Sequence, residues 1–305
     1  MIAVVILTHN EALHIGRAIE SVSGIASQIF LIDSGSTDRT IEIAEGLGAT
    51  VLKNPWTNYA QQFQWGLDNA PITADWVMRL DADEVIEPDL NATIRERLPT
   101  LSDTVTGVNL KRKHVFMGRW IRHGGRYPLT LLRIWRRGAG RIEQRWMDEH
   151  MLLSHGDSVT FEGGFSDINL NDIAFFTDKH NKYAAREAVD ILNQRYDLFP
   201  RDAADSVAAS AQAAQKRGIK ERVYNRLPFG AGPVLYFLYR YTIQLGFLDG
   251  KEGAIYHGLQ GLWYRFLVDV KVEELKREIA PLQGKAARTA RLAQLTGLKL
   301  PAVVD

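Results

Sequence analysis

The chain opens with Ile2-Ala3-Val4-Val5-Ile6-Leu7, which runs directly into Thr8-His9-Asn10-Glu11. A continuous apolar run rich in β-branched residues is typical of a strand that is covered on both faces of a parallel sheet. Apolar residues then return at helical spacing, at Ala12, Ile15, Ile19 and Val22. The opening stretch therefore predicts a buried strand followed by a helix, with Asn10 as the N-cap.

The same strand–helix order continues along the chain. A second strand is predicted over residues 28–33, a short helix around residues 41–47, and a third strand around residues 49–52. This alternation predicts an α/β fold with a mainly parallel sheet flanked by helices. The first turn lacks the G-x-G-x-x-G pattern of dinucleotide-binding Rossmann domains, which argues against that class.

A pair of carboxylates follows the next apolar run, residues 76–80. It reads Asp81-Ala82-Asp83-Glu84, so Asp81 and Asp83 are predicted to point to the same side at the carboxyl end of a strand. Open α/β sheets bind ligands at that edge. Two carboxylates so close repel each other unless a hard divalent cation or a sugar hydroxyl lies between them. For this motif alone, a solvated acidic turn remains the alternative.

The first two strands also end in polar side chains, namely Thr8, Asn10 and Glu11, then Asp33 and Asp38. Such side chains suit hydrogen bonding to a base or a ribose better than close backbone approach to a pyrophosphate. Asp33 could accept a hydrogen bond from the imide N–H of a uracil. For Asp33 and Asp38, turn formation and helix capping are the alternative, because Asp-Ser-Gly-Ser is favourable turn chemistry.

Taken in order, Thr8-x-Asn10-Glu11, residues 33–38 and residues 81–84 resemble the nucleotide-binding half of family 2 glycosyltransferases of the GT-A fold. The sequence is most similar to the bacterial enzymes that build lipopolysaccharide and exopolysaccharide. The resemblance continues through residues 120–125, 179–184 and 246–250, and covers about residues 1–265. It implies a GT-A catalytic domain over residues 1–220, with a nucleotide-sugar half of about 1–100 and an acceptor half of about 101–220. A C-terminal helical region is expected over 221–305.

The resemblance also implies a set of donor contacts. The expected donor is a nucleoside diphosphate sugar, with UDP as the expected nucleotide. Mn²⁺ or Mg²⁺ held by Asp83 and the two phosphates would act as a Lewis acid on the leaving group, while Asp81 would hold the ribose or a metal-bound water. The implied nucleotide-sugar-binding residues are Thr8, Asn10, Glu11, Asp33, Asp38, Gln62, Arg79, Asp81 and Arg133. Gln64 departs from the family, whose members usually carry Asn at that position.

A general base is expected in a later acidic segment, residues 145–150. In the lipopolysaccharide-type relatives this segment reads His-Glu, which aligns with Asp148-Glu149 and makes Glu149 the base. The more general family form ends in Glu-Asp, and a shift of one residue would select Asp148. A carboxylate base implies a single displacement with inversion at the sugar carbon. An acidic loop paired with Arg141 or Arg145 is the alternative.

Basic residues are dense between residues 111 and 137, and aromatic side chains lie among them. Nucleic acid is the partner that such a stretch first suggests. However, the whole chain carries 37 Lys and Arg against 36 Asp and Glu, and the arginines alternate with apolar residues as they do on strands. A diphosphate donor or a phosphorylated acceptor lipid accounts for them better, so no nucleic-acid partner is expected.

The chain becomes helical in character from about Asn171. Residues 228–241 are apolar and aromatic, yet Arg240, Gln244 and internal Gly and Pro argue against a membrane span. Together with the upstream cations Lys216, Arg217, Lys220 and Arg222, this stretch predicts a helix lying in a bilayer interface. Packing against protein is the equal alternative.

Other features bear on location. The chain has no cysteine, hence no disulfide, and its first residues lack the features of a signal peptide. A cytoplasmic protein at the inner face of the inner membrane is expected, with a lipid-linked glycan as acceptor. The alternative, from a different functional class, is a non-catalytic protein of the same fold that binds a nucleotide sugar or a polyanion. Metal-dependent hydrolysis of UDP-sugars would separate the two.

Overall fold

The computed structural model describes residues 1–143, 149–199, 228–301 and 303. The chain forms two compact units, Met1–Leu170 and Asn171–Asp305. The compact units thus divide between residues 170 and 171, whereas the family resemblance implies a catalytic domain over residues 1–220, which stays a prediction. The difference arises because the helix that begins at Ile173 shares a hydrophobic core with helices near the end of the chain.

The first unit alternates strands and helices as predicted up to its fourth strand. Its strands are β1 Ile2–Thr8, β2 Ala26–Asp33, β3 Thr50–Lys53, β4 Trp76–Arg79, β5 Glu84–Ile86, β6 Val105–Phe116, β7 Arg119–Ile121, β8 Leu129–Arg136, β9 Gly140–Ile142, β10 Met151–Leu153, β11 Asp157–Thr160 and β12 Phe165–Ile168. Its helices are α1 Ile15–Val22, α2 Thr40–Gly46, α3 Tyr59–Asn69 and α4 Pro88–Arg97, followed by a 3₁₀ turn at Leu98–Thr100.

The main sheet has the strand order β3-β2-β1-β4-β8-β6-β12-β5, with β7 and β11 also pairing with β6. The first four strands in this order are parallel. Beyond β4 the sheet becomes mixed, because β8 runs antiparallel to both β4 and β6. The predicted α/β fold with a largely parallel sheet and flanking helices is confirmed. The parallel register brings the ends of β1 and β2 side by side, with Thr8 opposite Asp33.

The first helix begins later than predicted. It starts at Ile15, with His14 at the N-cap position, so the prediction of Asn10 as N-cap is wrong. Asn10 instead lies in the left-handed region at φ 56°, a conformation that Asn tolerates better than most residues. Its side-chain oxygen accepts a hydrogen bond from the backbone N–H of Thr37 at 2.8 Å. The side chain therefore bonds to the loop after β2 and is not available to cap its own helix.

Helix α3 lies unusually close to the parallel strands. A Cβ added at Gly66 would lie 2.6 Å from Ile32 Cγ1 and 3.6 Å from Val5 Cγ1. Only glycine leaves room for this approach, and the same packing buries Phe63 of α3 against the sheet. The close contact sets the position of the start of α3, where Tyr59 lies.

The second unit is helical. Its elements are α5 Ile173–Tyr196, α6 Ala231–Leu238, a π-helical stretch Tyr239–Ile243, a 3₁₀ turn Gly246–Asp249, α7 Gly250–Tyr256, a second π-helical stretch His257–Trp263, α8 Tyr264–Ile279 and α9 Lys285–Thr296. This confirms the expected C-terminal helices. No helix in the described part of the chain is both long and apolar enough to cross a membrane. The cations Lys216, Arg217, Lys220 and Arg222 lie outside the described residues.

The close approach at Gly66 generates a stability prediction. Gly66→Ala should lower the free energy of unfolding by about 1–3 kcal/mol, because the added methyl group meets the Ile32 side chain in a packed core. Gly46→Ala is the control, since Gly46 is also helical but has nothing within 4 Å of the added carbon. Urea unfolding of both variants checks the prediction, and equal stabilities would contradict it.

Candidate active site

The loops after β1 and β2 bond to each other, which brings the first two sequence motifs together. The backbone N–H of Asn10 donates to Ser36 Oγ at 2.9 Å, and the Asn10 side chain accepts from Thr37. The Asp38 carboxylate accepts from the N–H of Ala12 at 3.1 Å. These cross-links make one polar rim at the carboxyl ends of two neighbouring parallel strands, where α/β folds bind ligands.

Asp33 and Asp38 also hold their own turn. The Asp33 carboxylate is fully buried and accepts from the backbone N–H groups of Ser36, at 2.8 Å, and Gly35, at 3.2 Å. Asp38 accepts from the N–H of Thr40 at 3.0 Å. Although partial burial opposes the shift, hydrogen bonds from Thr40 and Ala12 lower the pKa of Asp38. The turn-forming role raised from the sequence is thus present, and nucleotide contact by these two residues stays a prediction.

The other predicted contact residues of this rim differ in the hydrogen bonds that they make within the protein. Thr8 is buried, and no described group bonds to its hydroxyl. The Glu11 carboxylate lies 2.7 Å from Nδ1 of His14. Gln62 is buried, and its amide accepts from Asn54 Nδ2 at 2.8 Å and donates to the Asn54 carbonyl at 3.0 Å. Gln62 therefore holds the segment that precedes α3.

The D-x-D motif forms the turn between β4 and β5. Asp81 and Asp83 are half-buried, whereas Ala82 and Glu84 are buried. This alternation agrees with the prediction that the two aspartates share the accessible side. The motif thus offers two carboxylates at the edge of the sheet, beside the end of β4.

Asp81 is surrounded by donors that reach it from three elements. The Tyr59 hydroxyl, at the start of α3, donates to Oδ1. Arg79 Nε lies 3.4 Å from Oδ1, and Arg133 Nη2, on β8, lies 3.4 Å from Oδ2. Burial acts to raise the pKa of Asp81, but Arg79, Arg133 and the Tyr59 hydroxyl outweigh it and hold that pKa well below its usual range. Asp81 is therefore ionised and held in place by protein groups.

Glu84 anchors one of these arginines. It is 1 % exposed, lies 2.6 Å from Arg133 Nη2, and accepts from the backbone N–H of Asp81 at 2.9 Å. Burial raises the pKa of Glu84 to about 7, against the opposing charges of Arg133 and Arg112. From the sequence, Glu84 was equally consistent with a supporting role and an exposed charge, and the structure shows it buried. Arg133 in turn has two buried nitrogens, Nε and Nη1, and neither donates a hydrogen bond to a described group.

Asp83 has a different set of neighbours. Its Oδ2 accepts from Asn169 Nδ2 at 3.0 Å, and its carbonyl accepts from the N–H of Ile168 at 2.9 Å. Among the described residues, no group of three or more His, Cys, Asp or Glu side chains could hold a metal ion. Mg²⁺ is commonly held by one or two carboxylates together with substrate phosphates. A half-buried carboxylate such as Asp83 fits that role.

Of the two candidate bases, only Glu149 lies in the described part of the chain, and Asp148 lies outside it. Glu149 is half-buried, and its carbonyl accepts from Arg79 Nη1 at 3.3 Å. Arg79 also contacts Asp81, so the backbone of Glu149 lies beside the D-x-D motif. The choice between Asp148 and Glu149 stays a prediction.

Three residues of this site were missed or left open by the sequence reasoning: Tyr59, Glu84 and Asn169. One signal could have indicated the first of them. Asn58 is a favourable N-cap, and its side chain accepts from the N–H of Gln61 at 2.8 Å. It marks Tyr59 as the first residue of a helix. Nothing local in the sequence connects Tyr59 to Asp81 or Asn169 to Asp83.

Part of the basic stretch is paired with nearby acids. Lys113 Nζ lies 2.6 Å from Glu87, and Arg112 lies between Glu84 and Asp167, at 3.4 Å and 3.7 Å. These two cations are therefore paired within the fold, whereas Arg119, Arg122 and Arg137 are exposed. The expectation of no nucleic-acid partner stays a prediction.

Polar loops and a D-x-D pair at the carboxyl ends of parallel strands are typical of α/β proteins that bind a ligand at this edge of the sheet. The family model of glycosyl transferase family 2 matches residues 3–161, just over half of the chain, and the chain belongs to this family.

The relatives match over a limited region. An uncharacterized glycosyltransferase of Rickettsia bellii is 42 % identical over 93 residues, which cover 30 % of this chain and 31 % of the relative. One from Rickettsia felis is 41 % identical over 93 residues, covering 30 % and 32 %. The matched region therefore spans about a third of the length of these curated relatives.

A glucosyl-3-phosphoglycerate synthase from Mycobacterium tuberculosis, solved with Mn²⁺, uridine diphosphate and glucosyl-3-phosphoglycerate, is 24 % identical, with a TM-score of 0.31. The match covers 38 % of this chain and 44 % of that chain.

Proposed function

We propose that the protein is an inverting glycosyltransferase that transfers a sugar from a UDP-sugar to a glycan acceptor. The observation that carries the proposal is the meeting of the D-x-D motif with the Glu149 segment through Arg79, within a chain of family 2. A glycosyl transfer needs a group that stabilises the leaving diphosphate and a base for the attacking hydroxyl, and these two segments supply both kinds of group.

The donor would bind across the ends of β1, β2 and β4. Asp83 would hold the divalent cation, Mn²⁺ or Mg²⁺, which supplies positive charge to the leaving diphosphate. Asp81, fixed by Tyr59 and Arg133, would accept from the ribose or from a cation-bound water. The buried Nε and Nη1 of Arg133, which make no hydrogen bond to a described group, give the site a further positive group suited to an anionic ligand.

In the reaction itself, the acceptor hydroxyl attacks C1 of the sugar as the bond between C1 and the diphosphate oxygen breaks. Glu149 would take the hydroxyl proton during this step, and the electron pair of the broken bond stays with the diphosphate. A single displacement of this kind inverts the configuration at C1. The transferred sugar and the diphosphate then leave separately.

The acceptor and the place of action are further parts of the proposal. We infer a lipopolysaccharide or exopolysaccharide glycan on a lipid, reached at the cytoplasmic face of the inner membrane. Support comes from residues 228–250, whose only Lys, Arg, Asp and Glu residues, Arg240 and Asp249, are both buried. Large apolar side chains on this segment are exposed, among them Phe229, Leu235, Leu238 and Ile243. An uncharged apolar and aromatic surface suits shallow insertion into a bilayer interface.

The role of Asp83 is tested by replacing it. Asp83→Asn should abolish sugar transfer and metal-dependent UDP binding while leaving the protein folded, because an amide is a poorer ligand for a hard cation than a carboxylate. Asp103→Asn, at a fully exposed side chain, is the control. UDP-sugar hydrolysis and UDP titration with Mn²⁺ check it. Full metal-dependent activity in Asp83→Asn would refute the assignment.

The base is tested separately from donor binding. Glu149→Gln should keep UDP affinity within a few fold but lower turnover by roughly 10²–10⁴, the range of a positioned general base. Asp148→Asn should stay active. Steady-state kinetics and UDP titration of both variants make the comparison. If Asp148→Asn is the inactive protein and Glu149→Gln turns over normally, the base lies one residue earlier.

Membrane attachment is tested by vesicle flotation. The protein should float with anionic vesicles at low salt and be released at high salt, since each cation among Lys216, Arg217, Lys220 and Arg222 adds about 1 kcal/mol near an anionic surface. The double variant Leu235→Ser with Ile243→Ser should float poorly, whereas Leu47→Ser, an exposed leucine of the first unit, should behave as wild type. No flotation of the wild type at low salt would mean that the apolar surface packs against protein.

A further inference from the structure

Arg79 contacts both the D-x-D motif and the backbone of the expected base. Its Nε lies 3.4 Å from the Asp81 carboxylate, and its Nη1 donates to the Glu149 carbonyl at 3.3 Å. The two contacts use different nitrogens of one planar guanidinium group. A movement of either segment would therefore be transmitted to the other through a rigid fork.

An aromatic surface holds this guanidinium group in place. Arg79 Cζ lies 4.5 Å from the centre of the Tyr59 ring and 5.6 Å from that of Phe63, and the two rings are stacked at 11° to each other. The Arg79 side chain is only 12 % exposed. Cation–π contact with a ring is strongest where water is excluded, as it is here. The orientation of the guanidinium group is thus set by α3.

Tyr59 contributes a second contact through its hydroxyl, which donates to Asp81 Oδ1. The same side chain therefore supports Arg79 with its ring and orients Asp81 with its oxygen. Tyr59, Arg79 and Asp81 form a closed triangle, and the Glu149 backbone is attached to one corner of it. Donor binding at Asp81 and the position of the base segment are then parts of one connected set of contacts.

We propose that Tyr59 and Arg79 are positioning residues that couple the D-x-D motif to the backbone of Glu149, the expected base. Tyr59 orients Asp81 and Arg79, and Arg79 holds the backbone of Glu149 at the distance that catalysis needs. The inference rests on the proposed function, and it assigns Arg79 to the coupling of two protein segments, whereas the sequence assigned it to the nucleotide sugar. Small displacements of a catalytic group are costly, since a shift of about 1 Å can lower the rate by about 10²-fold.

The first experiment separates coupling from nucleotide contact. Arg79→Lys keeps the charge but loses the planar fork, so we expect turnover of the UDP-sugar to fall by about 10²-fold, with UDP affinity in the presence of Mn²⁺ changed only a few fold. Tyr59→Phe keeps the ring beneath Arg79 and should have a smaller effect than Tyr59→Leu, which removes both contacts. A parallel loss of UDP affinity and turnover in Arg79→Lys would mean that Arg79 binds the nucleotide, and would overturn the inference.

Matched controls come from the same chain. Arg136 stacks over the Trp76 ring at 4.7 Å but donates to the carbonyl of Val105, so Arg136→Lys makes the same chemical change outside the site. The Tyr264 hydroxyl donates to the Glu187 carboxylate at 2.7 Å in the second unit, which makes Tyr264→Phe the control for Tyr59→Phe. Both controls should keep wild-type kinetics.

The pH dependence of turnover gives a further test. A purely structural role of Arg79 would lower activity equally at every pH, whereas a displaced base shifts the acidic limb of the profile of turnover against pH.

A second experiment tests the coupling by the reactivity of an introduced thiol, without measuring sugar transfer. The chain has no cysteine, so Glu149→Cys introduces a single thiol on the base segment while leaving the carbonyl that Arg79 contacts. Its rate of reaction with a thiol reagent should change when UDP and Mn²⁺ are added. That response should disappear when Arg79→Lys is added and persist with Arg136→Lys. An unchanged response in the Arg79→Lys background would overturn the inference.

The two proposals fail differently. If the wild type does not turn over any UDP-sugar and UDP with Mn²⁺ does not bind, the proposed function fails. If the wild type is active and binds UDP, while Arg79→Lys and Tyr59→Leu keep its turnover, only the coupling fails.

Discussion

The site depends on the neutralisation of Asp81. Carboxylates at positions 81, 83 and 84 lie within four residues, and without cations their mutual repulsion and their desolvation would oppose a buried turn. Arg133 lies between Asp81 and Glu84, and Arg79 contacts Asp81 from the end of β4. The mixed half of the sheet is required for this arrangement, since β8 carries Arg133 and pairs with β4.

The two aspartates of the motif consequently have different chemical environments. Asp81 is held by a hydroxyl and two guanidinium groups, so its position is set before a ligand arrives. Asp83 accepts a hydrogen bond from the side-chain amide of Asn169, and its charge interacts with the guanidinium group of Arg17. A preorganised residue costs little reorganisation when a ligand binds, and a carboxylate oxygen is the kind of ligand that a hard cation prefers. The different roles that the family resemblance implies for Asp81 and Asp83 stay predictions.

The polar side chains at the ends of β1 and β2 are also held in place by protein groups. They bond chiefly to one another and to backbone N–H groups, as Asn10 does with Thr37 and Asp33 with Ser36. Side-chain hydrogen bonds thus build a rigid rim here, whereas dinucleotide-binding folds use glycines and a helix N-terminus at the same place. The buried hydroxyl of Thr8 and the inner nitrogens of Arg133 are polar groups of the site that this network leaves unused. Buried polar groups without partners are costly, so they indicate where a ligand would bond.

The sequence by itself determined the alternation of strands and helices up to β4, the polar ends of β1 and β2, and the D-x-D motif at the end of β4. These follow from local periodicity and from residues adjacent in the chain, which one sequence displays directly. Only the tertiary structure decided the division of the chain after Leu170, the turn-forming use of Asp33, the burial of Glu84, and the contacts of Tyr59 and Asn169. Tyr59 lies 22 positions from Asp81, and Asn169 lies 86 positions from Asp83. Such pairs form because strand order and helix packing bring distant segments together, and no local pattern encodes which segments will meet.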